Sequence, residues 1–169
     1  MNKGKVIFKE EQSFVGTWLW YAVIASISLA ILGVSMPIWL KGAQESFTGL
    51  ILVGLISVGV ILFLIRSKLS VTIDEHAIYY TYPPFVNKEK QITLADLKEV
   101  YMRKYKPIWE YGGWGYRIRP GKGRAMNVTG NNGLQMVFKN NKRLLIGTQK
   151  PEAMSYAIRR LKENSRIDG

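Results

Sequence analysis

Charged side chains are absent from residues 12–40 and absent again from residues 46–65, while Lys41 and Glu45 mark the short link between them. A hydrocarbon core about 30 Å thick is crossed by roughly 20 apolar residues in a helix, and each stretch supplies that length. The pattern predicts a transmembrane helical hairpin over 17–65, with helices at about 17–40 and 46–65. A link this short permits only an antiparallel return. Trp18, Trp20, Tyr21 and Trp39 stand where aromatic belts lie. Ala22, Ser26 and Ala30 form a small-residue face, and Gly54 with Ser57 offers another, so these faces are expected to pack within the hairpin. The first stretch exceeds the h-region of about 7–15 residues in a signal peptide and lacks a small-x-small cleavage site, which favours a retained anchor.

Beyond Arg66 the pattern changes to alternation. Leu69, Val71 and Ile73 recur with period two, and Asp74-Glu75 reads as a turn. Residues 77–82 are rich in tyrosine and β-branched side chains, and Pro83-Pro84 ends that strand. Residues 92–97 suggest a short helical turn in which Thr93 caps towards Asp96. Residues 99–105 predict another strand. Residues 133–138 and 142–146 flank Asn140-Asn141, a credible two-residue hairpin turn because Asn tolerates positive φ. Pro151 suits the first position of a helix running to about 164, and Met154, Ala157, Ile158 and Leu161 give it one apolar stripe.

The expected class is therefore α+β: a transmembrane helical hairpin, then a β-barrel or sandwich capped by a C-terminal helix. Residues 1–16 form an N-terminal segment, and residues 66–169 suffice for one small domain. The mean hydropathy of −0.02 conceals this division, because it averages a membrane hairpin with a polar domain. From residue 66 onward there are 20 Lys and Arg against 9 Asp and Glu, so +11 of the formal +12 resides there. Short loops rich in Lys and Arg stay cytoplasmic, which places both termini inside and the link outside. The chain has no cysteine, which excludes disulfides and thiolate metal sites.

Several segments carry a family resemblance: Ile73-Asp-Glu-His-Ala-Ile-Tyr-Tyr80, Tyr82-Pro-Pro-Phe85, Tyr111-Gly-Gly-Trp-Gly115 and Leu145-Ile-Gly-Thr-Gln-Lys-Pro-Glu152. With the order of strands and closing helix, the chain resembles small bacterial membrane proteins that join a two-helix hairpin to a pleckstrin-homology-like domain. The resemblance covers nearly the whole chain. It implies a multi-pass protein of the bacterial inner membrane whose domain binds or assembles, and it carries over no catalytic residues.

Candidate chemistry concentrates in residues 101–124. Arg103, Lys104, Lys106, Arg117, Arg119, Lys122 and Arg124 face a single acid, Glu110, with Trp109 and Trp114 among the interleaved aromatics. Glycines and prolines there predict a long loop or distorted hairpin. Membrane lipids are the expected partners, since each Lys or Arg near an anionic leaflet gains about 1 kcal/mol. A membrane-protein partner or homo-oligomer is the alternative, as a structural subunit. Nucleic acid is disfavoured by the membrane tether. Residues 115–123 lack P-loop spacing and its hydroxyl, and no dinucleotide fingerprint completes. His76, the sole histidine, reads as an exposed turn residue, so no metal, cofactor or catalytic site is expected. Asn127-Val-Thr129 matches a glycosylation sequon that a cytoplasmic position would silence. The hairpin holds no ionisable group, which argues against transport through it.

Overall fold

The computed structural model describes residues 4–41 and 46–167, so all of the expected five-residue link 41–45 except its first residue lies outside the described residues. The chain divides into two compact units: Ser13–Ser67, which is helical, and a β unit that joins the segment before Ser13 to everything from Lys68.

In the helical unit, α1 (Trp18–Lys41) and α2 (Ser46–Arg66) fall within a residue of their predicted bounds. Both are long and apolar enough to cross a bilayer. Leu29, Leu32, Leu55 and Ile56 are more than half exposed, unlike the side chains of a soluble core helix. The hydroxyls of Ser26, Ser28 and Ser57 donate to carbonyls four residues back, so these three donors are satisfied within their own helices. Ala22, Ser26 and Ala30 are exposed, yet they line one concavity together with Val23 and Ile27 of α1 and Val53 and Ser57 of α2, so the small-residue face lies along the groove between the two helices. Gly49 permits the close approach: a Cβ there would lie 3.2 Å from Val34 Cγ1.

The β unit contains β1 (Val6–Ser13), β2 (Lys68–Asp74), β3 (Ala77–Tyr82), β4 (Val86–Thr93), β5 (Leu97–Lys104), β6 (Gly115–Arg119), β7 (Gly123–Asn127), β8 (Asn132–Phe138) and β9 (Arg143–Thr148). Short helix α3 (Pro107–Tyr111) follows β5, and α4 (Pro151–Ile167) ends the described chain. One sheet has the order β1-β2-β3-β4 and the other β5-β8-β9-β7-β6. The predicted strands from 69 onward and the C-terminal helix are all present. Asp74 makes the β2–β3 turn by accepting the N–H groups of His76 and Ala77 at 2.9 and 2.8 Å. The cap at Thr93 also forms: its N–H and hydroxyl both donate to the Asp96 carboxylate, at 3.0 and 2.7 Å.

Strands β1 and β4 had no sequence signal. β4 is almost wholly exposed along Lys88, Glu89, Lys90 and Gln91, so no apolar alternation marks it. β1 turns Phe8, Glu10 and Gln12 inward, two of them polar. The expected N-terminal segment thus contributes an edge strand of the domain. Gly4, just before β1, donates its N–H to Asp74 at the far end of β2, so the two strands run antiparallel. The β8–β9 connection also differs from the expected two-residue turn. Phe138 N–H bonds Lys142 carbonyl and Asn141 N–H bonds Phe138 carbonyl, each at 2.9 Å, which leaves a three-residue loop ending on Asn141 at φ 60°.

No closed barrel forms among the described residues. Where β1 approaches the end of β9, side chains replace a ladder. Thr148 Oγ1 donates to Glu10 at 2.6 Å, Gln149 N–H donates to the other Glu10 oxygen at 2.9 Å, and Gln12 Nε2 donates to Gly147 carbonyl at 2.8 Å. The core lies between the sheets and α4. Leu69, Val71 and Ile73 on β2, Leu134 and Met136 on β8, and Met154, Ala157 and Leu161 on α4 are all completely buried. Burial of each large side chain contributes about 1.5–3 kcal/mol, which is why the α4 stripe was so legible.

Glu10→Ala should destabilise the β unit by about 1.5–3 kcal/mol, the loss expected for hydrogen bonds to a charged group that leave partners unpaired. Thermal unfolding of the full chain in an uncharged detergent measures this; an unchanged melting temperature would contradict the assigned role of Glu10.

Candidate functional site

The segment from β5 to β7 builds the basic surface, and it is folded more tightly than a loop. Pro107 starts α3, whose first turn needs no N–H there, and Gly112 ends it at φ 78° with its N–H on Ile108 carbonyl. The chain then returns as the β6–β7 hairpin, which pairs Tyr116 with Met126 and Ile118 with Arg124. One face of this hairpin places Tyr116 on Phe85 in a stacked pair 5.0 Å apart. The opposite face buries Ala125 against Tyr105, Tyr111 and Leu145. Asn127, the sequon residue, is fully buried; it donates to Tyr105 Oη at 2.8 Å and accepts Gly115 N–H at 2.8 Å. Burial pushes the Tyr105 phenol up to about 12, although the Asn127 hydrogen bond opposes it.

Several predicted binding residues are engaged in holding this segment together. Arg103 forms a 2.8 Å ion pair with Glu110, donates to Gln135 Oε1 at 3.1 Å and to Tyr111 Oη at 3.2 Å, and lies 5.9 Å from the Tyr105 ring centre. Glu110 also accepts Lys106 N–H at 2.8 Å. Burial works against the Arg103 charge, but Glu110 and Tyr111 hold its pKa above the ordinary value. Burial likewise works against the Glu110 carboxylate, yet the Lys106 N–H and Arg103 keep its pKa below the usual range. Arg117 donates to Trp114 carbonyl at 2.9 Å, Arg119 donates to Trp109 carbonyl, and Trp114 Nε1 donates to Gly130 carbonyl at 3.2 Å. Of the two expectations, a long loop or a distorted hairpin, the structure shows the hairpin, preceded by α3 and clasped by its own arginines.

The remaining predicted residues face solvent. Lys104, Lys106, Lys122 and Arg124 are exposed, and Trp109 is 79% exposed beside Ile108 at 58%. Two concavities gather cations, and Arg143 lines both. One of about 470 Å³ collects Arg103, Glu110, Lys122 and Arg143. The other, of about 600 Å³, collects Arg119 and Arg124 with Lys142 and Arg143 over Tyr80 and Phe138. Lys142 and Arg143 were not anticipated as site residues; their only signal was a basic pair directly after Asn140-Asn141. His76 is exposed in the β2–β3 turn, as expected. No protein-family model matches the chain, and no curated protein matches it.

The Arg103–Glu110 pair yields a pH prediction. A carboxylate whose folded pKa is depressed contributes stability above its unfolded pKa, and that contribution is lost as pH falls through the folded value. Glu110→Gln should therefore cost about 1–3 kcal/mol at neutral pH. The gap between wild type and variant should stay level down to about pH 5 and shrink below about pH 4. Denaturant unfolding across that range provides the measurement, and a gap that does not change with pH would refute the role given to the carboxylate.

Proposed function

We propose that this chain is a non-catalytic, multi-pass protein of the bacterial inner membrane, anchored by α1 and α2, whose β unit binds the anionic headgroups of the cytoplasmic leaflet. The carrying observation is that β1 and β2, which precede and follow the two apolar helices, are neighbours in one sheet. Strands that share a ladder lie on the same side of a membrane, which supports a reading in which the helical pair between them crosses and returns. Cleavage within the first apolar stretch would remove an edge strand of the domain, which further favours a retained anchor. The four-stranded meander, second sheet and closing helix support the pleckstrin-homology-like reading of the domain.

Headgroup binding is supported by the excess of basic side chains from residue 66 onward and by the exposed pair Ile108 and Trp109 near Lys104 and Lys106. Basic side chains attract an anionic surface, and an exposed tryptophan suits the interface between headgroups and chains.

Because the chain has no cysteine, single cysteines report topology directly. Lys9→Cys and Lys139→Cys should label only from the cytoplasmic side in intact cells, and Ala43→Cys only from the opposite side. Labelling of positions 9 and 139 from different sides would refute the anchor. A second measurement addresses the ligand. A polarity-sensitive fluorophore on Trp109→Cys, in the reconstituted full chain, should shift to the blue in vesicles containing phosphatidylglycerol and not in pure phosphatidylcholine. Identical spectra in both would remove headgroup binding from consideration.

A further inference from the structure

The β6–β7 turn and the β8–β9 loop meet for a topological reason. β7 and β9 pair in parallel, with Arg124 opposite Leu144, so both strands begin at the same end and the turns that feed them lie side by side. Their backbones approach closely at Gly123. A Cβ at that position would fall 2.3 Å from the Arg143 carbonyl oxygen, and its φ of 89° is a second reason for glycine.

The concavity of about 600 Å³ between these turns receives Arg119, Arg124, Lys142 and Arg143, with Tyr80 and Phe138 among its apolar lining. No carboxylate among the described residues lines it. Arg119 also donates to the Trp109 carbonyl and Arg143 also lines the concavity that holds Glu110, so Arg124 and Lys142 are the cations left to this hollow, and their mutual repulsion is relieved when an anion occupies the space. The volume lies within the usual range for small-molecule sites, about 300–1,000 Å³. The Arg124 guanidinium favours an oxyanion that accepts paired hydrogen bonds.

We propose that this hollow is a binding site for a phosphate monoester, with Arg124 and Lys142 as its principal ligands and the apolar lining beneath the ester group. The phosphate could be carried by a lipid headgroup or by a soluble ester; the lipid source rests on the membrane-surface reading above, whereas the phosphate site does not.

The test uses the purified full chain in an uncharged detergent, titrated calorimetrically with dihexanoyl phosphatidic acid and with glycerol 3-phosphate. Saturable binding of either probe is expected, weakened about 25-fold in Arg124→Gln/Lys142→Gln, at about fivefold per cation removed. Lys5→Gln/Arg159→Gln removes the same charge from exposed positions outside the hollow and should bind as wild type. Lys142→Glu, at an exposed loop position, should weaken binding by itself and guards against a double variant that fails to fold. Tighter binding of the lipid probe supports a headgroup as the source, and equal binding supports the site with a soluble ester as its ligand. Absence of saturable binding, or equal affinity in wild type and Lys142→Glu, overturns the proposal. Trp109 does not line this hollow, so the vesicle experiment above succeeds or fails independently.

Discussion

The pairing of β1 with β2 is the constraint on which the rest of the architecture depends. These strands are adjacent in space but separated in the chain by both apolar helices. Closing so long a connection carries an entropic cost that rises slowly with length, so the ladder needs help from side chains at its edge. Glu10 and Gln12 supply that help by reaching the end of β9, and buried Phe8 adds an apolar contribution. The β unit is therefore complete only when the chain on both sides of the helices is present. The helical pair is an insertion within a sheet, and the N-terminal segment belongs to the domain's edge.

A second constraint acts at the opposite sheet. Its order, β5-β8-β9-β7-β6, places the β6–β7 hairpin beyond β9 and leaves β6 as an edge. An edge hairpin with an exposed Ile118 needs something to hold its connection to β5. Arg103, Arg117 and Arg119 do so by donating to Glu110, Gln135 and the carbonyls of Trp114 and Trp109. Arginine suits this task because its planar group serves several acceptors at once. The basic surface is consequently of two kinds. Arginines that clasp the hairpin are spent partly on structure, whereas Lys104, Lys106, Lys122 and Arg124 remain directed to solvent.

Much of the fold was legible because apolar periodicity reports burial. The α4 stripe and the alternation in β2 mark positions that are completely buried, and the uncharged stretches matched α1 and α2 closely. What escaped notice was held by polar contacts. β1 points a carboxylate and an amide inward, and β4 is an exposed edge, so neither bears the expected pattern. The Gly-rich segment left a loop and a hairpin equally open and concealed α3, because glycine permits a loop and a tight turn alike. Residues of the basic segment were identified by type, but their division between clasp and concavity depends on strand register. The contribution of Lys142 and Arg143 depends on the parallel β7–β9 pair, a long-range feature that no local window contains.

The two kinds of basic residue also obey different physics. Isolated lysines such as Lys104 act through a field that falls away within a Debye length, about 8 Å at physiological ionic strength. Their attraction to an anionic surface is additive, weak per residue and strongly salt-dependent. Cations that line one hollow would act together on an anion held there, at separations within a Debye length, where screening is weaker. Broad attraction keeps a domain at a surface without choosing among anions, whereas a shaped hollow can choose. The parallel pairing of β7 with β9 brings two turns that are distant in sequence, with their basic residues, to one end of a sheet.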